Sequence, residues 1–268
     1  LKRPSLTTVL QTHGILPQKQ LGQNFLLDEN ITRKIVTFAG SLTGKTVIEI
    51  GPGPGGLTRA ILDAGVKRII AIEYDPICVR ALQDLEDPRL TVIQQDALKV
   101  NWEELIIPCS QNIKIIANLP YNIGSLLLTQ WFQLFEHIDS LTLMFQKEVV
   151  DRLVSYPNTA DYGRLSVVTQ LLSRSVERKM ILPPHLFTPP PKVDSAVVHI
   201  VPKTESLGLK LSILEAFVKK AFSQRRKMLK GIFKGQLSIF EELDIDTTRR
   251  AETLSLDEFF KLACLFKG

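Results

Sequence analysis

Cysteine is scarce in this chain of 268 residues: Cys78, Cys109 and Cys264 are scattered, odd in number and without a CxxC pair. This argues against a disulfide framework and a cysteine-based zinc site, and for a reducing, cytoplasmic compartment. Histidine is equally thin. His13, His137, His185 and His199 lie without metal-ligand spacing, so no metal is expected. No apolar run approaches the roughly 18 residues that a membrane span needs. Residues 1–14, LKRPSLTTVLQTHG, lack the apolar core of a secretory signal. The chain opens on Leu1 rather than Met, and a removed targeting segment stays open. What is abundant is core-forming material, 44% hydrophobic against 23% charged, which excludes a disordered or fibrous chain.

The net charge of +5 is placed unevenly. Residues 219–234, KKAFSQRRKMLKGIFK, hold seven basic residues and no acid. Residues 1–27 add Lys2, Arg3 and Lys19, again with no acid, so the remainder carries more acid than base. Such an arrangement suggests localised contact with a polyanion rather than general stickiness.

From residue 44 onward, strand and helix patterns alternate. TVIEI (46–50), RIIAIEYD (68–75), LTVIQQD (90–96), NIKIIANLP (112–120) and LTLMFQ (141–146) read as strands. Helical stretches fall between and after them, at 56–65, 76–85, 126–135 and 147–154. This alternation predicts βαβ units and a mostly parallel, doubly wound sheet. LSVVTQLL (165–172), VERKMIL (176–182) and SAVVHIV (195–201) are further candidates to close it, and HLFTPPPKVD (185–194) must be an ordered loop or turn. Near residue 205 the character changes to helix throughout. Two domains are expected, 1–204 and a small all-helical 205–268.

EIGPGPGG (49–56) lies between a strand and a helix, where α/β sheets bind ligands. Gly51, Gly53 and Gly56 match a dinucleotide fingerprint, with Glu73 placed to hold a ribose hydroxyl. Pro52 and Pro54, however, remove two backbone N–H groups that would cradle a pyrophosphate. A ligand with adenine and ribose but no phosphate, such as S-adenosylmethionine, would not miss them. Asp96 ends the third strand, where it can accept from an adenine amine or serve as a helix N-cap.

Asn118-Leu119-Pro120-Tyr121 terminates the fourth strand and resembles the (Asp/Asn)-x-Pro-Tyr motif of methyltransferases acting on the exocyclic amine of adenine. Taken with LGQNFLLD (21–28), EIGPGPGGLT (49–58), FTPPPKVDS (187–195) and AFSQRRKML (221–229), the chain is similar to the small-subunit ribosomal RNA adenine dimethyltransferases. The resemblance runs in order over residues 15–230. It implies a Rossmann-like class I methyltransferase sheet of seven strands with the last antiparallel, followed by the helical domain. It also implies S-adenosylmethionine as methyl donor and ribosomal RNA in a maturing small subunit as partner, with the enzyme acting as a monomer away from membranes.

Residue by residue, the resemblance sets out the site. Adenine's 6-amino nitrogen is a poor nucleophile because its lone pair is delocalised into the ring. The side-chain oxygen of Asn118 and the backbone carbonyl of Leu119 accept its protons, Pro120 stiffens the turn, and Tyr121 stacks on the base. The base must be extruded or already unpaired. Phe187 is the candidate for the second wall, with loop-anchoring core as its alternative. Asn24 and Leu26 lie over the cofactor beside Gly51, Gly53, Glu73, Asp96 and Asn118, although from physics alone GQNFL is only a polar turn with an N-cap at Asn24 or Asp28. Trp102 and Trp131 read as core.

Plotted at 100° per residue, Lys219, Lys220, Arg226, Lys227, Lys230 and Lys234 share one arc, with Met228 and Leu229 opposite. This face reads as a phosphate-contacting surface, with a merely solvated face as its alternative. Arg225 points to the apolar side and is expected packed or paired. Three other functions stay in view: a large-subunit RNA adenine dimethyltransferase of the macrolide-resistance type, a mainly non-catalytic assembly factor, and a nicotinamide oxidoreductase.

Overall fold

TVIEI and RIIAIE are mostly apolar without strict alternation, the pattern of parallel strands buried on both faces. In the computed structural model they form the centre of a seven-stranded sheet. Residues 3–18, 21–109 and 112–266 are described, and Lys2 and Lys19 lie outside them. The strands are β1 (Thr46–Ile50), β2 (Arg68–Glu73), β3 (Leu90–Gln94), β4 (Ile113–Asn118), β5 (Ile138–Gln146), β6 (Ser173–Leu182) and β7 (Ser195–Pro202). Their spatial order is β3-β2-β1-β4-β5-β7-β6. Strands β3 to β5 pair in parallel, and β7 runs antiparallel to β5 with Leu143 opposite Val198. Among the described residues no helix is long and apolar enough to cross a membrane.

The chain divides into two compact units, Leu1–Val150 with Glu177–Pro202, and Asp151–Val176 with Lys203–Gly268. In the first, α1 (Leu6–His13), α2 (Glu29–Phe38), α3 (Gly56–Asp63), α4 (Pro76–Gln83), α5 (Trp102–Ile106) and α6 (Gly124–Trp131) accompany the sheet. Helix α1 is absent from the sequence reading, although Ser5 caps its first turn and Gly14, at φ 62°, closes it. Trp102 and Trp131 are buried edge-to-face with ring centroids 5.3 Å apart.

The second unit takes in residues 151–176, which the sequence reading assigns to the sheet domain. LSVVTQLL, a candidate strand, is helix α8 (Arg164–Leu171), following α7 (Lys147–Val154). Its β-branched residues favour strand, but burial against α9 (Leu211–Ala221) and α12 (Leu256–Leu265) decides otherwise. The Ser166 hydroxyl accepts the Gly163 amide at 3.0 Å and sets the helix start. Phe217, Phe233, Phe240 and Phe259 are fully buried here, and Phe222 stacks on Phe259 at 5.5 Å.

The long helix expected from 211 to 233 is broken. After α9 the chain makes a 3₁₀ turn at Phe222–Gln224 and re-enters helix only at α10 (Leu229–Ile232), while α11 spans Ser238–Glu241. Met228 is extended and bridges Arg250, the Leu229 amide donates to the Arg249 carbonyl at 2.8 Å, and the Lys230 amide donates to Thr247 at 2.9 Å. Of TTRRAETLS, read as helix, only the 3₁₀ turn Ala251–Thr253 is helical.

Candidate active site

Four consecutive strands in space, β3, β2, β1 and β4, bring their carboxyl ends to one edge at the point where the strand order reverses. The turn after β1 needs glycine for two separate reasons. Gly53 has φ 56°, and a Cβ there would lie 2.9 Å from the Phe25 ring. A Cβ on Gly56 would meet the Leu26 carbonyl at 2.8 Å. The turn's amides are already committed within the protein: Gly51 donates to Ile72, Gly55 to Pro52, and Gly53 to the Glu73 carboxylate at 2.9 Å. Together with the two prolines, this leaves little of the cradle that a pyrophosphate needs.

Glu73, at the end of β2, is buried and also accepts the Asp75 amide at 2.8 Å. Burial pushes its carboxyl above the usual range, while the amides of Asp75, Gly53 and Tyr74 hold it down. A carboxylate offers about four lone-pair sites, so acceptor capacity remains for a sugar hydroxyl.

Glu49 is missed by the sequence reading. It lies within β1, lines the same cavity and is 1% exposed, and neither of its oxygens has a partner at hydrogen-bonding geometry among the described residues. Burial pushes it up to about 8, opposed by the nearby Thr58 hydroxyl and amide and reinforced by the charge of Glu73. The signal was present in TVIEI, where an acid interrupts an apolar run directly before the glycines.

The cavity bounded by these ends has a volume of about 340 Å³. Asn24, Leu26, Gly51, Gly53, Glu73, Asp96 and Asn118 all line it, as do Leu119, Pro120 and Tyr121. Asp96 caps the turn at Ala97–Lys99 through the Leu98 amide at 3.0 Å, so the capping role and the cavity position coexist. Asp28, not Asn24, caps α2, and Asn24 sits in the cavity wall. The Asn118 side-chain nitrogen donates to the Asn24 carbonyl at 3.2 Å, which fixes the amide and leaves its oxygen as an acceptor. Leu119 is buried, and the Pro120 carbonyl accepts the Ile123 and Gly124 amides that start α6.

Tyr121 is half-buried, and its hydroxyl lies 2.6 Å from the buried Ser195 hydroxyl at the start of β7. Burial raises its pKa, and the Ser195 bond opposes the rise, so the phenol is neutral. Phe187 departs from its expected place. It is 3% exposed, pairs with Leu26 in a two-residue antiparallel ladder and packs into the core with Ile35 and Leu57. In this arrangement its ring is buried as a loop anchor, the alternative that the sequence left open.

The basic segment of the second unit also differs from its wheel, since the helix breaks within it. Lys219, Arg226, Lys227 and Lys230 are exposed. Lys220 leaves the expected arc: its ammonium lies over the Phe233 and Phe266 rings, 5.1 and 5.5 Å from the centroids, and donates to Gln236. Met228, expected on the apolar side, is exposed. Arg225 is paired as expected, donating to the Ala160 carbonyl and lying 3.8 Å from Glu252, although it too is exposed.

Two buried carboxylates and few uncommitted amides suit a cationic nucleoside and not a diphosphate. S-adenosylmethionine fits: adenine, two ribose hydroxyls, and positive charge on sulfonium and ammonium for the unpartnered Glu49. When bound it supplies an electrophilic methyl group. A cationic nucleoside at the switch point of this strand order defines a class I methyltransferase.

The profile of the ribosomal RNA adenine dimethylase family matches residues 16–267. The ribosomal RNA small subunit methyltransferase A of Agrobacterium fabrum is 49% identical over 271 residues, covering 98% of each chain. That of Xanthobacter autotrophicus is 45% identical over 274 residues, covering 98% of this chain and 94% of the relative. A dimethyladenosine transferase from Plasmodium falciparum superposes with a TM-score of 0.78 at 26% identity, covering 88% of this chain and 94% of that one. The 23S rRNA methyltransferase ErmE, with TM-score 0.67, 24% identity and coverage of 90% and 98%, shares the fold. The chain belongs to the ribosomal RNA adenine dimethylase family. Its activity is the S-adenosylmethionine-dependent methylation of adenine in ribosomal RNA.

Proposed function

We propose that this enzyme dimethylates two adjacent adenines near the 3′ end of small-subunit ribosomal RNA, acting as a monomer on a maturing small-subunit particle in the cytoplasm. The observation that carries the reading is the Asn118–Tyr121 corner standing beside a cavity with two buried acids. The curated relatives with 45% and 49% identity over nearly the whole chain, both named for the small subunit, support the choice of RNA.

In this reading Glu73 takes the ribose hydroxyls, Asp96 the adenine amine of the cofactor, and Asn24 and Leu26 cover it. The Asn118 oxygen and the Leu119 carbonyl accept hydrogen bonds from the target amine, making the nitrogen more tetrahedral and its lone pair available. No strong base is required, and positioning carries much of the rate. Pro120 holds the corner, and the Tyr121 ring faces the extruded base. Lys219, Arg226, Lys227 and Lys230 neutralise phosphates.

The test is in-vitro labelling of small and large ribosomal subunits that lack the modification, with the methylated positions mapped. The expected result is two adjacent dimethyladenines in small-subunit RNA. Labelling of the large subunit alone would overturn the reading. An Asn118→Ala protein that still methylates at the wild-type rate would overturn the assignment of the corner.

A further inference from the structure

Within the helical unit only two large hydrophobic side chains among the described residues stand out as exposed, Tyr156 at 69% and Met228 at 45%. Single exposed apolar side chains are ordinary, but these two belong to segments tied together by three contacts. The Asn158 amide donates to the Glu252 carbonyl at 2.9 Å, the Arg225 guanidinium donates to the Ala160 carbonyl, and Met228 bridges Arg250. The same segments carry exposed Arg226, Lys227, Lys230 and Arg250. Glu252 faces this group, 3.8 Å from Arg225 and 3.9 Å from Arg250, and exposed Asp161 follows Ala160 in the Tyr156 loop.

The loop bearing Tyr156 is built rather than slack. Ser155 is buried, its hydroxyl donates to Arg152 at 2.8 Å, and its carbonyl accepts the Gln170 side chain at 2.8 Å. The Tyr156 carbonyl accepts both the amide and the hydroxyl of Thr159, at 3.3 and 2.6 Å, and Asn158 turns the chain at φ 68°. A ring held out on a fixed backbone loses little freedom on binding. An exposed aromatic ring on a segment hydrogen-bonded to cation-bearing ones suits a strand of nucleic acid, because every base offers a π-face and every linkage a phosphate.

We propose that Tyr156 is a stacking platform for an unpaired nucleotide of the ribosomal RNA, on the strand whose phosphates Arg226, Lys227 and Arg250 contact. This rests on the reading of the basic segment as an RNA contact and adds a base-recognising element that charge alone does not provide.

The experiment measures affinity for small ribosomal subunits lacking the modification, and for the bare small-subunit RNA transcript, across a range of salt. Three variants are compared: Tyr156→Ala, Tyr156→Trp and a double charge reversal, Arg226→Glu with Lys227→Glu. Tyr156→Ala is expected to weaken binding about 5- to 150-fold, the range for one stacked base, with an unchanged salt slope and melting curve. Tyr156→Trp keeps the affinity, and its emission is quenched on binding. The charge reversal instead shallows the salt slope. Wild-type affinity in Tyr156→Ala, with the charge reversal still impaired, would overturn this proposal alone. A charge reversal without effect would overturn the basic-segment reading beneath it. If Tyr156→Ala loses affinity for the particle but not for the transcript, the platform takes a ribosomal protein and the proposal fails.

Discussion

Glu49→Gln separates what a buried acid costs the empty fold from what it contributes to ligand capture. The wild-type carboxyl rises from an ordinary value of 4.5 to about 8 because it is fully buried. The folded state therefore keeps a proton that the unfolded chain has released, and stability is lost as pH rises from 4.5 through about 8. At ~1.4 kcal/mol for each pH unit of that window, the loss is ~5 kcal/mol above pH 8 and ~3 kcal/mol at pH 7. The glutamine variant has no such proton. Its Tm without ligand should exceed that of the wild type at pH 8, and the gap should close toward pH 5. Binding of the cationic cofactor should weaken about 10- to 150-fold, the loss of a charge-assisted contact of ~1.5–3 kcal/mol. Calorimetry in buffers of different ionisation enthalpy provides the decisive assay. Wild-type protein at pH 7 should release close to one proton on binding, and the variant close to none. A wild-type binding enthalpy that ignores the buffer, with equal melting of the two proteins at pH 8, would refute the reasoning.

Other substitutions probe the remaining parts of the site. Ser195→Ala should lower turnover about 5-fold, the ~1 kcal/mol of a neutral hydrogen bond, with cofactor affinity unchanged. Tyr121→Phe should match it, and the double variant should be no worse; additive losses would break the link between the two hydroxyls. Glu73→Gln leaves one acceptor oxygen for the Gly53 and Asp75 amides, so cofactor affinity by calorimetry should fall by ~1.5–3 kcal/mol. Unchanged affinity there would remove Glu73 from the cofactor site. Phe187→Ala should cost ~3–5 kcal/mol in urea unfolding, as a buried aromatic does. Wild-type stability with lost methylation would instead make Phe187 a base-stacking residue.

The sheet was legible because its central strands are buried on both faces and so read as near-continuous apolar runs. Residues at their carboxyl ends were legible for the same reason: once β1, β2, β3 and β4 are placed, Gly51, Glu73, Asp96 and Asn118 follow at one edge. What failed depended on partners distant in sequence. Nothing local in QRRKML shows that Met228 will pair with Arg250, and a helical wheel assumes the continuity which that pairing destroys. Phe187 and Tyr121 are both aromatics close to proline, and only the Leu26 ladder on one side and the Ser195 hydroxyl on the other separate anchor from surface. Arg164–Leu171 is β-branched enough to pass for strand until α9 and α12 bury it.

The inward commitment of the glycine turn's amides bears on selectivity in a cell crowded with adenine nucleotides. ATP presents the same adenosine, and a pocket that recognised adenine and ribose alone would fill with it. Here the triphosphate would arrive against Glu49 and Glu73, with the amides of Gly51, Gly53 and Gly55 already spent on Ile72, Glu73 and Pro52. A buried Glu49 that keeps its proton in the empty site gains nothing by ionising beside a polyanion, and an anion without donors is left desolvated. Rejection is thus decided at the far end of the ligand from the base. The enzyme chooses its adenosine by the sign of the charge attached to it.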